Sequence, residues 1–228
     1  MFTHLKRTLT TGALVASLAT GTLAGAAHAE PAGLDRGVDS AAAQSAYDYQ
    51  ASKYKFKYIK QDQGQETQWV DCGPTSILMA LLDNGGEVPA SYNEKDQSAA
   101  ILELRAEAPS GGEEGTNFFY DSDVSTILKN RGVSGTVLGT GKAITALDGL
   151  KQGQKAVVLT QTDMLRDGKT DPGFGHFVYV SGYNPSTGTY TVNDPLNNDE
   201  RSYEATEDEM RTMLTSPAKG NQEWVYLI

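Results

Sequence analysis

Two apolar runs, Gly175-His176-Phe177-Val178-Tyr179-Val180-Ser181-Gly182-Tyr183 and Thr189-Tyr190-Thr191-Val192-Asn193-Asp194, flank the short segment Asn184-Pro185-Ser186-Thr187-Gly188. The runs are rich in β-branched and aromatic residues and the segment between them holds turn formers, so the stretch predicts a β-hairpin. No other feature limits the fold as much, because closing the turn makes neighbours of the two far strand ends. His176 starts one strand and Asp194 ends the other, which is the placement an imidazole–carboxylate pair requires. The carboxylate would hold one ring nitrogen protonated and leave the other to face a third group. Asn193 could serve as the orienting group instead. Alternation along a strand puts Asn193 and Asp194 on opposite faces, so only one of them can meet His176.

The third group is predicted from Asp71-Cys72-Gly73-Pro74-Thr75-Ser76, which runs into Ile77, Leu78, Leu81 and Leu82 at helical spacing. A helix is therefore expected to start at Cys72 and pack one face into a core. Pro74 suits a first turn, and Gly73 lets backbone or substrate approach the sulfur. Free N–H groups and the positive end of the helix dipole favour thiolate at such a position, so Cys72 is a candidate nucleophile with His176 as its base or counter-cation. The other reading is a small buried hydrophobe, as most free cysteines are.

Composition narrows the choice. The chain has 228 residues, 39% of them hydrophobic and 21% charged, the profile of one globular domain with an ordinary core. Its first 29 residues depart from that profile. Lys6-Arg7, an apolar and small-residue run from Leu9 to Ala26, and Ala27-His28-Ala29 read as a secretory signal peptide cleaved after Ala29, and hence as an exported protein. Removing it takes away His4, His28, Lys6 and Arg7 but no acid, so the net charge moves from −10 to −12 and Cys72 and His176 remain the sole residues of their types. An acidic chain argues against nucleic acid or an anionic membrane as partner, and no run after residue 29 is long enough to span a bilayer. One cysteine excludes an internal disulfide, and one His with one Cys nearly excludes a zinc site. Asp163, Asp167 and Asp171 lack the spacing of an EF-hand, so no cofactor is expected.

Along the chain, 30–53 is poor in large apolar residues and reads as a flexible arm or pro-segment ahead of a domain over 54–228. Alternating Tyr54-Lys55-Phe56-Lys57-Tyr58-Ile59-Lys60 predicts an edge strand, followed by a polar stretch from Gln61 to Gln68. Trp69 would either wall a substrate groove or belong to the core. Helices are expected near 96–106, 121–131, 143–151 and 207–214, with a glycine-rich loop over 109–115, and strands near 156–160 and 223–228. Helices first and a mostly antiparallel sheet second make an α+β order.

Taken together, Asp71-Cys72-Gly73-Pro74-Thr75-Ser76, the strand containing His176, and Val192-Asn193-Asp194-Pro195 resemble the C39-like branch of the papain-like cysteine peptidases, from Tyr54 to the C-terminus. The resemblance implies a papain-like α+β fold in which the nucleophile helix packs on the sheet that supplies the other two residues. It also implies hydrolysis of peptide bonds through a thioester, with Cys72 as nucleophile, His176 as acid/base and Asp194 as orienter. The substrate would be a peptide or protein and the enzyme a monomer. The family also uses a glutamine ahead of the cysteine to bind the oxyanion. Six residues before Cys72, the commonest offset, stands Glu66; Gln61 is preferred for the role, Gln65 is the alternative, and Gln68 lies close to the cysteine. The same residues would equally serve deamidation or acyl transfer, and Glu66 leaves room for an inactive binding module on this fold.

Overall fold

The structure is a computed structural model that describes residues 54–110, 119–161, 173–196, 199–218 and 220–228. The expected signal peptide, the arm over 30–53, the glycine-rich part of the 109–115 loop and the three loop aspartates lie outside the described residues.

Among the described residues six strands form one sheet: β1 (Thr136–Leu138), β2 (Ala156–Gln161), β3 (Gly175–Asn184), β4 (Thr189–Asn193), β5 (Tyr203–Ala205) and β6 (Trp224–Leu227). Their order is β1-β6-β2-β3-β4-β5 and every pairing is antiparallel. The predicted hairpin is β3–β4, with Gly188 at φ +71° in its turn and a register shift between Val180 and Gly182. The helices α1 (Cys72–Asn84), α2 (Ser98–Ala106) and α3 (Asp121–Asn130) precede the sheet, while α4 (Ala146–Lys151) and α5 (Glu207–Thr215) fall between strands. Among the described residues no helix is long and apolar enough to cross a membrane.

Alternation along the central strands sorts the core into two layers. Val157, Phe177, Tyr179, Trp224 and Tyr226 join a cluster with the apolar residues of α1, α2 and α3. Val158, Val178, Val180, Val192 and Val225 join Leu147, Leu150, Met210, Met213 and Leu214 of α4 and α5. Strands covered on both faces need no polar face, which is why β2 and β3 read as nearly continuous apolar runs.

Helix α1 is buried more completely than one apolar stripe would require: every residue from Gly73 to Leu82 is buried. It is packed between β3 on one side and α2 and α3 on the other, which leaves only its ends, Cys72, Asp83 and Asn84, partly exposed. Gly85 ends it in the left-handed conformation at φ +66°, its N–H bonded to Leu81 O. Gly73 has a reason the sequence did not reveal. A Cβ there would lie 2.4 Å from Cδ1 of Phe119, whose ring covers the first turn.

One local expectation is corrected. Residues 54–60 form no strand, since the sheet edges belong to β1 and β5. The aromatic side chains of this segment hold it instead: Tyr54 meets Tyr92 edge-on, Phe56 meets Tyr179, and Ile59 is buried. The polar stretch that follows is not wholly solvated, because Gln61 and Gln65 are both buried. The short strands β1 and β5 carried no sequence signal strong enough to predict them, at three residues each.

Candidate active site

Cys72 is the first residue of α1, reached through a 3₁₀ turn over Gln68–Val70. Ser76, one turn along, donates from Oγ to Phe177 O at 3.1 Å and so ties the start of the helix to the residue after His176. His176 enters from the beginning of β3, where the β2–β3 register pairs it with Thr160. Asp194 follows the last residue of β4. Since Tyr179 pairs with Asn193, Asp194 falls diagonal to His176 across the hairpin.

These three residues come together although 104 positions separate Cys72 from His176. Nε2 of His176 lies 2.6 Å from Oδ1 of Asp194, both side chains being buried, and Asp194 Oδ1 also accepts the Leu196 N–H at 2.8 Å. The imidazole and the Cys72 thiol also act on each other, each shifting the other's pKa toward the charged form. With Nε2 occupied by Asp194, Nδ1 is the ring nitrogen left for the sulfur. Asn193 takes no part: its side-chain nitrogen donates to Tyr179 O (3.0 Å) and Ser181 Oγ (2.9 Å), and its oxygen accepts from Ser202 Oγ. Of the two orienters the alternation left open, Asp194 is the one that meets the histidine.

The electrostatics favour separated charge. Burial alone pushes the Cys72 thiol up, but the hydrogen bond and positive charge of His176, with the Phe177 and Gly73 N–H groups, outweigh it and bring the pKa below the ordinary 9.0. Burial alone lowers the His176 pKa. The Asp194 charge and hydrogen bond, joined by the thiol, overcome this and raise it from 6.5 to about 10. Both shifts favour the thiolate–imidazolium form of the pair, a nucleophile beside a proton donor.

The two glutamines separate clearly. Gln65 spends both amide hydrogens, on Gln61 O and on Asp71 Oδ2, and has none left for a substrate oxygen. Gln61 Nε2 makes one bond, to Gln68 O at 2.7 Å, and that carbonyl also fixes which end of the amide is nitrogen. Its backbone N–H donates to Pro195 O at 3.0 Å, beside Asp194, and its Oε1 is buried without a partner among the described residues. Gln61 thus sits between the Asp194 turn and the turn leading to Cys72, with one N–H unspent. Glu66 is exposed, and Trp69, at 68% exposure, belongs to the surface before the nucleophile helix and not to the core.

Sequence reasoning missed the support behind Cys72. Asp71 is fully buried, and its carboxylate accepts from Arg105 Nε (2.5 Å), Gln65 Nε2 (3.0 Å) and Thr67 Oγ1 (2.8 Å). Arg105 was legible in principle, because it shares the inward face of α2 with Ala100, Ile101 and Leu104, where a cation needs a buried anion. Tyr58 also braces the site, donating from its hydroxyl to Asp194 O at 2.7 Å.

Known proteins place this arrangement in a family. The model of the Peptidase_C39 like family matches residues 53–216, which hold all the site residues above. A crystal structure from Bacillus anthracis, itself only provisionally described as a C39-like peptidase, is 15% identical, with a TM-score of 0.45 over 75% of this chain and 94% of that one. The family assignment rests on the family model and not on that likeness. No curated protein matches significantly. The α+β order, the helix bearing the lone cysteine and the antiparallel sheet that meets it agree with that match: the chain belongs to the Peptidase_C39 like family.

Proposed function

We propose that this protein is a secreted, monomeric cysteine peptidase that hydrolyses peptide bonds with Cys72 as nucleophile, His176 as acid/base, Asp194 as orienter and Gln61 as oxyanion donor. The observation that carries the reading is the buried 2.6 Å imidazole–carboxylate contact of His176 and Asp194 together with the mutual pKa shifts of His176 and Cys72, which sets the sole cysteine against the only histidine after residue 29. Secretion is supported by the basic, apolar and Ala27-His28-Ala29 pattern of the first 29 residues.

The thiolate sulfur attacks the scissile carbonyl carbon, and the carbonyl electrons move to oxygen. The Cys72 N–H and the unspent Nε2–H of Gln61 stabilise that charge. As the tetrahedral carbon collapses, the C–N bond breaks and the His176 Nδ1 proton passes to the departing amine, leaving a thioester. Neutral His176 then takes a proton from water, whose oxygen attacks the thioester carbon and displaces the thiolate. Asp194 holds the ring orientation throughout and stabilises its cationic form. Glu66, the residue that raised the possibility of an inactive module, is solvent-exposed, which supports the active reading.

The test incubates the mature protein, and its Cys72→Ala and His176→Ala variants, with an unstructured protein substrate and reads new N-termini by mass spectrometry. Wild type should generate them and both variants should not. Ammonia release from an uncut substrate would replace peptidase by deamidase, and activity retained in His176→Ala would refute the mechanism. The mass of the exported protein tests cleavage after Ala29.

A further inference from the structure

The helix that carries Cys72 begins with an aspartate that does not cap it. Aspartate is favoured at this position because its carboxylate accepts free N–H groups of the first turn. Asp71 performs only the backbone half of that role, its O accepting from Thr75 N at 3.0 Å. The side chain makes no capping bond, and φ −92°, ψ 16° lie outside the extended conformation of an ordinary cap. Both carboxylate oxygens are turned away from the helix, Oδ1 to Arg105 Nε and Oδ2 to Gln65 and Thr67.

Arg105 holds more than the carboxylate. Its Nη2 donates to Val70 O at 2.6 Å, so one guanidinium grips two consecutive residues directly before the cysteine. Its Cζ also lies 5.8 Å from the centroid of the Phe119 ring that covers Gly73. Buried ion pairs often stabilise no more than apolar residues of the same volume, so stability alone is a poor reason for this one. Competition for the helix start is a better one. A carboxylate capping α1 would occupy the Gly73 N–H that acts on the sulfur, since Pro74 offers none, and would place a negative charge against a thiolate.

We propose that Arg105 is a positioning residue for Cys72, which keeps the Asp71 carboxylate off the first turn of α1 so that its N–H groups remain open to the thiolate and the reacting carbonyl. This rests on the reading of Cys72 as nucleophile. The groups that face the sulfur are His176 from β3, backed by Asp194, and the Gly73 and Phe177 N–H groups. Those that face Asp71 are Arg105 from α2 and Gln65 and Thr67 from the preceding loop.

The experiment is the pH profile of iodoacetamide alkylation of folded protein, for wild type, Arg105→Gln and Arg105→Gln/Asp71→Asn, with circular dichroism confirming the fold. Arg105→Gln should move the thiolate midpoint up by about one pH unit, a tenfold loss of thiolate on the acid limb. The double variant, which lacks the competing carboxylate, should recover most of that shift. An unchanged midpoint in Arg105→Gln, or a shift the double variant does not reverse, overturns the proposal, because a packing role predicts no rescue. Should Arg105→Gln not fold, Arg105→Lys carries the test. An ammonium cannot hold the Asp71 carboxylate and Val70 O in one fork. A smaller upward shift is expected, and a wild-type profile overturns the proposal. Failure of the underlying reading has a different signature, an ordinary thiol midpoint in the wild type itself.

Discussion

Nε2 of His176 and Oδ1 of Asp194 stand 2.6 Å apart across the β3–β4 hairpin, buried, with 18 positions of chain between them. This contact decides the charge state of the site, because it holds the imidazole protonated well above its ordinary range. Replacing Asp194 by Asn keeps the shape and removes the charge. The His176 pKa should then fall from about 10 toward 6.5, taking with it the imidazolium that stabilises the thiolate. We expect kcat/KM to drop by about 10²–10⁴, the range for losing positioned acid–base catalysis. Alkylation at pH 7 should slow in the same variant, and both are read against an unchanged circular dichroism spectrum.

The same pair shapes stability against pH. The raised His176 pKa contributes stability that is complete below 6.5 and is lost as pH climbs through about 10. The lowered Cys72 pKa contributes stability present above 9.0 and lost as pH falls through its folded value. Between 6.5 and 9.0 the two contributions oppose each other, so Tm should vary less steeply with pH in the wild type than the His176 contribution alone would make it. In Cys72→Ala only the His176 contribution is left, and Tm should decline as pH rises from 6.5; a level profile in that variant would contradict the ion pair.

Gln61 and Gln65 should behave differently when truncated. Gln61→Ala removes the unspent amide donor, so kcat should fall about 10²–10³-fold while thiol alkylation stays fast. Gln65→Ala strips a donor from buried Asp71 and from Gln61 O, and should appear mainly as about 1–3 kcal/mol of lost stability in urea unfolding.

Asn193 is the control for the orienter assignment. Its amide bonds Tyr179 O, Ser181 Oγ and Ser202 Oγ and none of the reacting groups. Asn193→Ala is expected to cost about 1–3 kcal/mol from stranded buried partners. Activity per folded molecule should survive, whereas Asp194→Ala should abolish it with the fold intact.

Gly73→Ala tests the packing over the nucleophile. The new methyl would meet Phe119 Cδ1 at 2.4 Å and Cε1 at 3.0 Å, so the ring must move. Overpacking of this kind costs about 1–3 kcal/mol. The loss should be recovered in Gly73→Ala/Phe119→Leu, measured by thermal unfolding, if the clash with the ring is its cause.

What could be read from the chain alone followed from periodicity and local chemistry. Helical spacing after Cys72 located α1, turn residues at 184–188 located the hairpin, and alternation left one of Asn193 and Asp194 for His176. These are short-range rules, in which each residue's neighbours in sequence are its neighbours in space, and they carried the cysteine, histidine and aspartate as candidates. The tertiary structure alone decided the rest. It chose Asp194 over Asn193, separated Gln61 from Gln65, moved residues 54–60 off the sheet, turned Gly73 into a seat for Phe119 and paired Asp71 with Arg105 across 34 positions. Every one of those outcomes depends on which side chains meet between distant elements, and the pattern of a single segment does not contain its partner. A buried polar side chain shows this most sharply. Its free energy is set by whether its hydrogen bonds are completed, and the groups that complete them arrive only when the chain has folded.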